Sequence, residues 1–257
     1  MDLGLDKRRA LIVGGSQGIG LAAARLMAAE GADIALASRS AGKLEAAAQT
    51  VGGARQIACD MTEAGAGARL VAGLDGWDAL DVLVTAQGGS IRSAFADLSD
   101  DDWLANYEFN VLATVRAIRA MLPLLERGRD PAIVMLGAAS SKMPYPHQVV
   151  SNVHKAGLLA LTKTLAVEFA ERGIRVNCVA PGRTLTPLWT NRADKMAQED
   201  GRSRETVLKE FTRDIPLQRF GQPEEVAAMV VWLACPRAAY VTGQTVNVDG
   251  GIARGLL

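Results

Sequence analysis

Short apolar runs alternate along this chain with longer segments of helical periodicity. The runs are rich in β-branched residues and lack a sustained alternation of polar side chains, which is typical of strands buried on both faces of a parallel sheet. They lie at 10–13, 33–37, 55–58, 81–85, 132–136, 175–180 and 245–248, and the helical segments lie at 18–30, 43–50, 63–73, 100–127, 148–171 and 223–234. This alternation predicts one α/β domain over 1–257, a doubly wound seven-stranded parallel sheet with helices on both faces.

Two features of the helical segments carry further information. Ser99, followed by Asp102 three residues later, has the pattern of a capping box, and Pro223 suits the first position of a helix. The segment 148–171 is apolar nearly all round, which is typical of a helix buried on more than one side. Because a sheet covers only one side of a helix, we expect a partner subunit on the other side.

Composition excludes several classes of partner. The 257 residues contain 28 Lys and Arg and 28 Asp and Glu, so nothing favours nucleic acid or a membrane surface as a partner. The cysteines, Cys59, Cys178 and Cys235, are far apart and form no Cys/His cluster, which predicts buried thiols and no metal site. We expect a cytoplasmic protein, because the first residues lack a signal-peptide run and the longest apolar run is too short to span a bilayer.

A glycine-rich stretch, LIVGGSQGIG, follows the first predicted strand and leads into a helix. Gly14, Gly18 and Gly20 would let the backbone turn tightly and approach a pyrophosphate, while the helix N-terminus supplies N–H groups and a positive dipole. The alternative is a tight strand-to-helix turn without a ligand.

The spacing of these glycines resembles that of the short-chain dehydrogenase/reductase family, as do VNCVAPGRTLT at 176–186, VTGQTVNVDGG at 241–251 and the acid of ACD at 58–60. The resemblance covers nearly the whole chain and implies a Rossmann-type fold that binds a nicotinamide dinucleotide. The cofactor contacts that it implies are Gly14, Ser16, Gln17, Gly18, Ile19, Gly20, Ser38, Arg39, Asp60, Met61, Ala86, Gly88, Lys155, Pro181, Gly182, Thr184 and Thr186.

The end of the second predicted strand bears on which nicotinamide cofactor is bound. An acid there would bind a ribose 2′-hydroxyl and repel a 2′-phosphate. This chain has Ser38 and Arg39, and arginine pairs bidentately with phosphate. We therefore expect NADP(H) to be favoured, with NAD(H) possible, unless Arg39 is only a solvated loop charge.

The family transfers a hydride between the nicotinamide and a carbonyl or alcohol with four residues: an asparagine, a serine, a tyrosine and a lysine four residues after the tyrosine. A cation near the phenol brings its pKa toward neutrality. Asn110 and Lys155 match two of the four, but Ser151 stands at the tyrosine position and Ala138 at the serine position. A serine hydroxyl ionises far less readily than a phenol, so we expect an altered mechanism.

Several nearby residues are candidates to replace the missing acid. Tyr145, His147, Ser140 and Ser141 lie before the helix that carries Lys155, and His154 lies beside Lys155. Histidine titrates near pH ~6.5 and can act as acid or base. Loop packing for Tyr145, and a helix or interface position for His154, are the alternatives. A nucleophilic dyad of Ser151 and Lys155 also has a suitable spacing.

The stretch 183–214 corresponds to the family's substrate lid. It is dense in charges of both signs, which suit a solvated helix face, and Leu188 and Trp189 are candidates for an apolar pocket wall.

Three functions remain open. The first is an NAD(P)(H)-dependent oxidoreductase with a rearranged acid that acts on a small-molecule carbonyl or alcohol. The second is an NADP(H)-binding sensor or scaffold without turnover. The third is a lyase or isomerase on the same fold. By the resemblance, we expect a homodimer or homotetramer.

Overall fold

The seven apolar runs form one parallel sheet. In the computed structural model, which describes residues 2–255, the strand order is β3-β2-β1-β4-β5-β6-β7. The strands are β1 (Arg9–Val13), β2 (Asp33–Ser38), β3 (Arg55–Ala58), β4 (Val82–Thr85), β5 (Ala132–Leu136), β6 (Arg175–Pro181) and β7 (Thr245–Val248). All adjacent pairs are parallel. The chain winds outward in one direction from β1 and in the other from β4, so the predicted doubly wound sheet is confirmed.

Helices cover both faces of the sheet. They are α1 (Gly18–Ala29), α2 (Ala41–Gln49), α3 (Ala66–Gly73), α4 (Asp100–Tyr107), α5 (Ala113–Leu125), α6 (Val149–Glu168), α7 (Pro187–Asp200), α8 (Arg204–Glu210) and α9 (Pro223–Ala234). Helices α1, α2 and α9 contribute to the core on one face, and α3, α5 and α6 to the core on the other. Strands β4 and β5 are buried along their whole length, which explains why their sequences lack polar alternation.

The predicted helix at 100–127 is not uniform. It begins with the expected capping box of Ser99 and Asp102, but five residues, Glu108–Leu112, form a π-helical turn between α4 and α5. Inside this turn the side-chain amide of Asn110 donates to the Asn106 carbonyl oxygen at 3.0 Å, four residues back. A side chain that donates a hydrogen bond to a helical backbone carbonyl competes with the helix's own hydrogen bonds and loosens the backbone locally. Turns of π-helix are frequent at functional sites.

The region 183–214 contains two helices that the hydrophobic pattern does not predict. Pro187 occupies the first turn of α7, and Gly201 ends α7 in the left-handed conformation, with φ of 63°. Ser203 then caps α8 by accepting a hydrogen bond from the Thr206 N–H. Proline at the start and glycine at the end are favourable helix boundaries, so a compact helical pair stands over the end of β6.

Helix α6 is buried on one side and exposed on another. Val153 is 51% exposed and Val167 is 80% exposed, and Leu104 on the neighbouring α4 is 63% exposed. The expectation of a partner subunit on α6 is consistent with this apolar face.

The three cysteines are free and buried. Within residues 2–255, no helix has the length and apolarity that a bilayer crossing requires. The same residues contain no group of three or more His, Cys, Asp or Glu side chains placed to hold a metal ion.

Candidate active site

A cleft of about 1150 Å³ opens at the carboxyl ends of the strands, beside β1 and β4. In doubly wound sheets, ligands bind at the point where the strand order reverses. A single small ligand typically occupies a pocket of roughly 300–1,000 Å³, so this cleft has room for a dinucleotide and a second molecule. Every residue predicted to contact a cofactor lines it.

The glycine loop packs too closely for side chains at its key positions. A Cβ atom on Gly20 would lie 2.4 Å from the Gly14 carbonyl oxygen, and Gly14 itself has a φ of 84°. Helix α1 therefore starts directly against the loop, and its free N–H groups face the cleft. This is the geometry that a pyrophosphate requires.

The loops after β2 and β3 form one end of the cleft. The Ser16 and Ser38 hydroxyl oxygens are 2.9 Å apart, and the Arg39 guanidinium lies 4.0 Å from the Asp60 carboxylate. Hydrogen bonds from the backbone N–H and hydroxyl of Thr62 hold the pKa of Asp60 below its usual value.

Lys43 adds a second cation at this end. It lies in the first turn of α2, and its ammonium donates to the Gln17 side-chain oxygen at 3.1 Å. Sequence reasoning missed it, although its position four residues after Arg39 was a usable signal.

Lys155 and Gly88 line the centre of the cleft, and Asn110 packs behind them. A Cβ atom on Gly88 would lie 2.6 Å from the Lys155 ammonium and 3.0 Å from the Asn110 side-chain oxygen. The Asn110 amide accepts from the Gly89 N–H and donates to the Gly89 carbonyl, both at 3.2 Å. Asn110 is fully buried and does not line the cleft, so it positions the turn after β4.

Lys155 is buried on α6. Its ammonium donates to the Leu136 carbonyl oxygen at 2.9 Å. Burial lowers its pKa from 10.5 to about 8, partly opposed by the nearby Cys178. The ammonium therefore stays protonated at neutral pH, ready to donate to a ligand hydroxyl.

Ser151 and Ala138, which the sequence analysis assigns to the tyrosine and serine positions of the family, both line the cleft. The Ser151 hydroxyl oxygen accepts a hydrogen bond from the Ile91 N–H at 3.3 Å. Ala138 offers no hydroxyl, but Ser140, two residues later, also lines the cleft.

Tyr145 brings a phenol to this cleft. Its hydroxyl is buried and has no hydrogen-bond partner within residues 2–255. The Arg183 guanidinium lies 5.7 Å from the centre of its ring. Burial raises the pKa of Tyr145, so the phenol keeps its proton. Tyr107 and Tyr240, by contrast, lie at the surface.

The structure does not bring His154 to the cleft. Its Nδ1 lies 2.9 Å from the Asn106 side-chain oxygen, and its ring packs edge-on against Trp103 and Tyr107. Consecutive helical residues point about 100° apart, so the residue next to Lys155 faces α4 instead. Burial lowers the pKa of His154 and favours the neutral ring. His147 is exposed and also lies outside the cleft lining.

The segment after β6 closes the cleft from the other side. Pro181, Gly182, Thr184 and Thr186 line it as predicted. A Cβ atom on Gly18 would lie 3.3 Å from the Thr186 methyl group, so this segment touches the glycine loop.

Leu188 and Trp189 form a wall at the lid end. The Trp189 ring packs against the rings of Phe211 and Phe220, with centroids 5.1 and 5.2 Å apart. Arg92 and Arg192 also line this end, and sequence reasoning missed both.

Comparison with known proteins gives matches over the whole chain. A family model described as enoyl-(acyl carrier protein) reductase matches residues 13–253. The chain is 33% identical to 2-keto-3-deoxy-L-fuconate dehydrogenase of Xanthomonas campestris over 248 residues, 96% of this chain and 80% of that protein. It is 34% identical to glucose 1-dehydrogenase of Gluconobacter oxydans over 252 residues, 95% of this chain and 91% of that protein.

A solved structure of L-sorbose reductase from Gluconobacter frateurii, complexed with NADPH and L-sorbose, superposes with a TM-score of 0.95 at 33% identity and full coverage of both chains. Actinorhodin polyketide ketoreductase with NADPH gives a TM-score of 0.90 at 31% identity, covering 98% of this chain and 99% of that chain. With its glycine loop, strand order and these matches, the chain belongs to the short-chain dehydrogenase/reductase family of oxidoreductases.

Proposed function

We propose that this protein is an NADP(H)-preferring oxidoreductase that interconverts a carbonyl and an alcohol with an altered set of catalytic residues. The observation that carries the proposal is the convergence of the glycine loop, Lys155 and a phenol, Tyr145, in one cleft.

The cleft fits a nicotinamide dinucleotide. Gly20 packs on the Gly14 carbonyl, and Gly14 packs on the backbone of Ala86 and Gln87. The glycine loop therefore lies close against the α1 N-terminus, where a pyrophosphate would bind. Lys155 would hold the ribose next to the nicotinamide, and the segment from Pro181 to Thr186 would cover the nicotinamide itself. When bound, the nicotinamide supplies or accepts the hydride.

Two cations support a preference for NADP(H). Arg39 and Lys43 stand at the adenosine end, with the Ser16 and Ser38 hydroxyls between the loops. A 2′-phosphate there would pair with the Arg39 guanidinium, whose side chain is 66% exposed. The NADPH-bound structural relatives support the same cofactor class.

Tyr145 is our candidate for the proton donor. In the reducing direction the carbonyl oxygen becomes an alkoxide, a much stronger base than a phenolate. A phenol that burial keeps protonated can donate to it. The Ser151 hydroxyl, which already accepts from Ile91, is free to donate its own proton toward the substrate oxygen and so orient it.

Paired variants test this assignment. Wild type, Tyr145→Phe and Tyr107→Phe would be assayed with NADPH and a panel of ketoses, keto acids and ketoacyl thioesters. General acids typically contribute ~10²–10⁴-fold, so Tyr145→Phe should lose at least about 100-fold in kcat with unchanged NADPH affinity. The surface control Tyr107→Phe should retain full activity. An active Tyr145→Phe variant would remove Tyr145 from the mechanism and leave a water relay through Ser151.

The second candidate function is cofactor binding without turnover, as a sensor or scaffold. The absence of a hydroxyl at Ala138 and of a phenol at Ser151 favours it. Saturable NADPH binding by the wild type, with activity only after Ser151→Tyr or Ser151→Tyr with Ala138→Ser, would establish this function instead.

We also propose that the protein is a homodimer or homotetramer. The apolar face that contains Leu104, Val153 and Val167 supports a subunit contact along α4 and α6.

A further inference from the structure

Three arginines gather at the lid end of the cleft. Arg92 follows β4, Arg183 follows β6 and Arg192 lies on α7. Their guanidinium carbons lie 5.8, 5.9 and 5.1 Å from the ring centre of Trp189, so they surround one aromatic side chain. All three line the cleft.

Only part of this positive charge is matched by acids. Both terminal nitrogens of Arg183 bind the Asp214 carboxylate, one of them at 2.8 Å. Lys195 lies 3.7 Å from Glu199 in an ion pair of its own. Across residues 2–255, Arg92 and Arg192 make neither an ion pair nor a hydrogen bond to the protein. Two positive charges thus remain unmatched at this end of the cleft.

Arg92 is exposed and Arg192 is half-buried, and an anion between them would relieve the repulsion among the three neighbouring guanidiniums. Burial and the neighbouring Arg192 and Arg183 lower the pKa of Arg92 to about 10, and burial with Arg183 lowers that of Arg192. Both stay charged at neutral pH. The faces of Trp189 and Phe211 offset part of this repulsion through cation–π contacts, but the hydrogen-bond donors of both side chains remain free.

We propose that the substrate carries an anionic group, a carboxylate or a phosphate, that Arg92 and Arg192 bind against Trp189. This inference rests on the proposed function and adds its substrate class. Guanidinium groups pair with both anions in bidentate geometry. The cofactor's own phosphates would lie elsewhere, at the glycine loop and at Arg39 and Lys43. The reacting carbonyl would then lie between the arginines and the Lys155 centre.

A binding experiment tests the site without turnover. Inorganic phosphate and malonate would be titrated against wild type at constant ionic strength in chloride, with tryptophan fluorescence as the signal. The Trp189→Phe variant shows how much of the fluorescence change comes from Trp189. Arg92→Gln and Arg192→Gln should each weaken anion binding by about tenfold or more, since each removes a charge-assisted pair. The exposed Arg213→Gln is the matched control and should bind as wild type does. NADPH affinity should be unchanged in all variants.

A kinetic experiment then separates carboxylate from phosphate. Each anionic substrate would be paired with its neutral counterpart: a keto acid with its amide, and a ketose phosphate with the free ketose. One anionic member should be preferred at least about tenfold in kcat/KM, and Arg92→Gln with Arg192→Gln should remove that preference.

The outcomes distinguish the two proposals. Anion binding that both variants abolish supports the anion site, whether or not a substrate is turned over. If no substrate is turned over, the proposed oxidoreductase function fails while the anion site stands. Turnover of neutral and anionic partners at equal rates overturns the inference and leaves the oxidoreductase standing. Anion binding that the variants leave intact overturns it as well. Weakened NADPH binding with intact anion binding would assign the two arginines to the cofactor.

Discussion

Lys155 carries a buried charge whose removal should change the stability of the fold. Its ammonium makes one hydrogen bond, to the Leu136 carbonyl, and burial lowers its pKa from 10.5 to about 8. At ~1.36 kcal/mol per pKa unit, this lowering corresponds to about 3 kcal/mol of stability lost at neutral pH. The lost hydrogen bond in a Lys155→Met variant costs about 1 kcal/mol. We therefore expect Lys155→Met to be more stable than wild type by about 2 kcal/mol near pH ~7.

The pH dependence has a definite sign. Because the native pKa of Lys155 is lower than the unfolded one, the unfolded state binds more protons at this site between about pH 8 and pH 10.5. The cost of the buried charge is complete below about pH 8 and is lost as the pH rises toward 10.5. The difference between variant and wild type should therefore shrink by about 2 kcal/mol between pH ~7 and pH ~9.5.

Urea unfolding followed by circular dichroism measures this difference at each pH. Lys163→Met, an exposed lysine on the same helix, is the control and should change stability little at any pH. The same Lys155→Met variant should bind NADPH more weakly, because it cannot hold the ribose. A variant less stable than wild type near neutral pH, or a difference that does not vary with pH, would refute this account of the buried ammonium.

Further predictions concern the cofactor, the core and the assembly. Arg39→Asp should weaken NADPH binding about tenfold or more and leave NADH binding nearly unchanged, as measured by nicotinamide fluorescence; equal losses for both would contradict a 2′-phosphate contact. Gly20→Ala should abolish binding of both nucleotides in the same titration, because its Cβ would lie 2.4 Å from the Gly14 carbonyl oxygen; unchanged affinity would remove the glycine loop from the site. Arg175→Met should lower the free energy of unfolding by about 3 kcal/mol or more, because the guanidinium donates to four carbonyls around the end of α9; urea titration of a variant as stable as wild type would contradict this. Val153→Asp should convert the proposed oligomer to a monomer in sedimentation experiments, and a monomeric wild type would exclude the proposed subunit contact.

Burial on both faces made the strands predictable. Each of the seven predicted strands differs from the observed one by at most one residue at either end. A parallel sheet buried on both faces needs continuous apolar runs, and such runs are visible without knowledge of their partners. The rules for βαβ connections predicted the doubly wound form of the sheet, and the resemblance to a family implied the same fold.

The hydrophobic pattern of the sequence does not predict the lid helices α7 and α8. Leu188, Trp189 and Met196 of α7 line the cleft, and Val207 of α8 is buried outside the two main core clusters. The hydrophobic pattern of this charge-dense stretch therefore does not give the bounds of the two helices. Asn110 in the π-turn makes hydrogen bonds to the distant Gly89, and no local sequence pattern shows such a contact.

The sequence predicted which residues line the cleft, but it did not predict correctly where every candidate side chain points. Every predicted cofactor residue lines the cleft, and all except Lys155 lie near the carboxyl end of a strand or at the start of a helix. His154 was a candidate by its place beside Lys155, but the helix turns its ring toward α4. Arg92 and Arg192 are 100 residues apart in sequence and meet only through the lid. That neither arginine has an acidic partner can be seen only in the folded structure, not in the sequence.

The most direct test of hydride transfer follows the hydride itself. NADPH carrying deuterium at the transferring carbon would be incubated with wild type and with mixed neutral and anionic carbonyl compounds, and the products analysed by mass spectrometry. We expect deuterium on the new carbinol carbon of at least one product with the wild type, and about 100-fold less with Tyr145→Phe. Saturable NADPH binding with unlabelled products in the wild type, and label only after Ser151→Tyr, would contradict the proposed oxidoreductase.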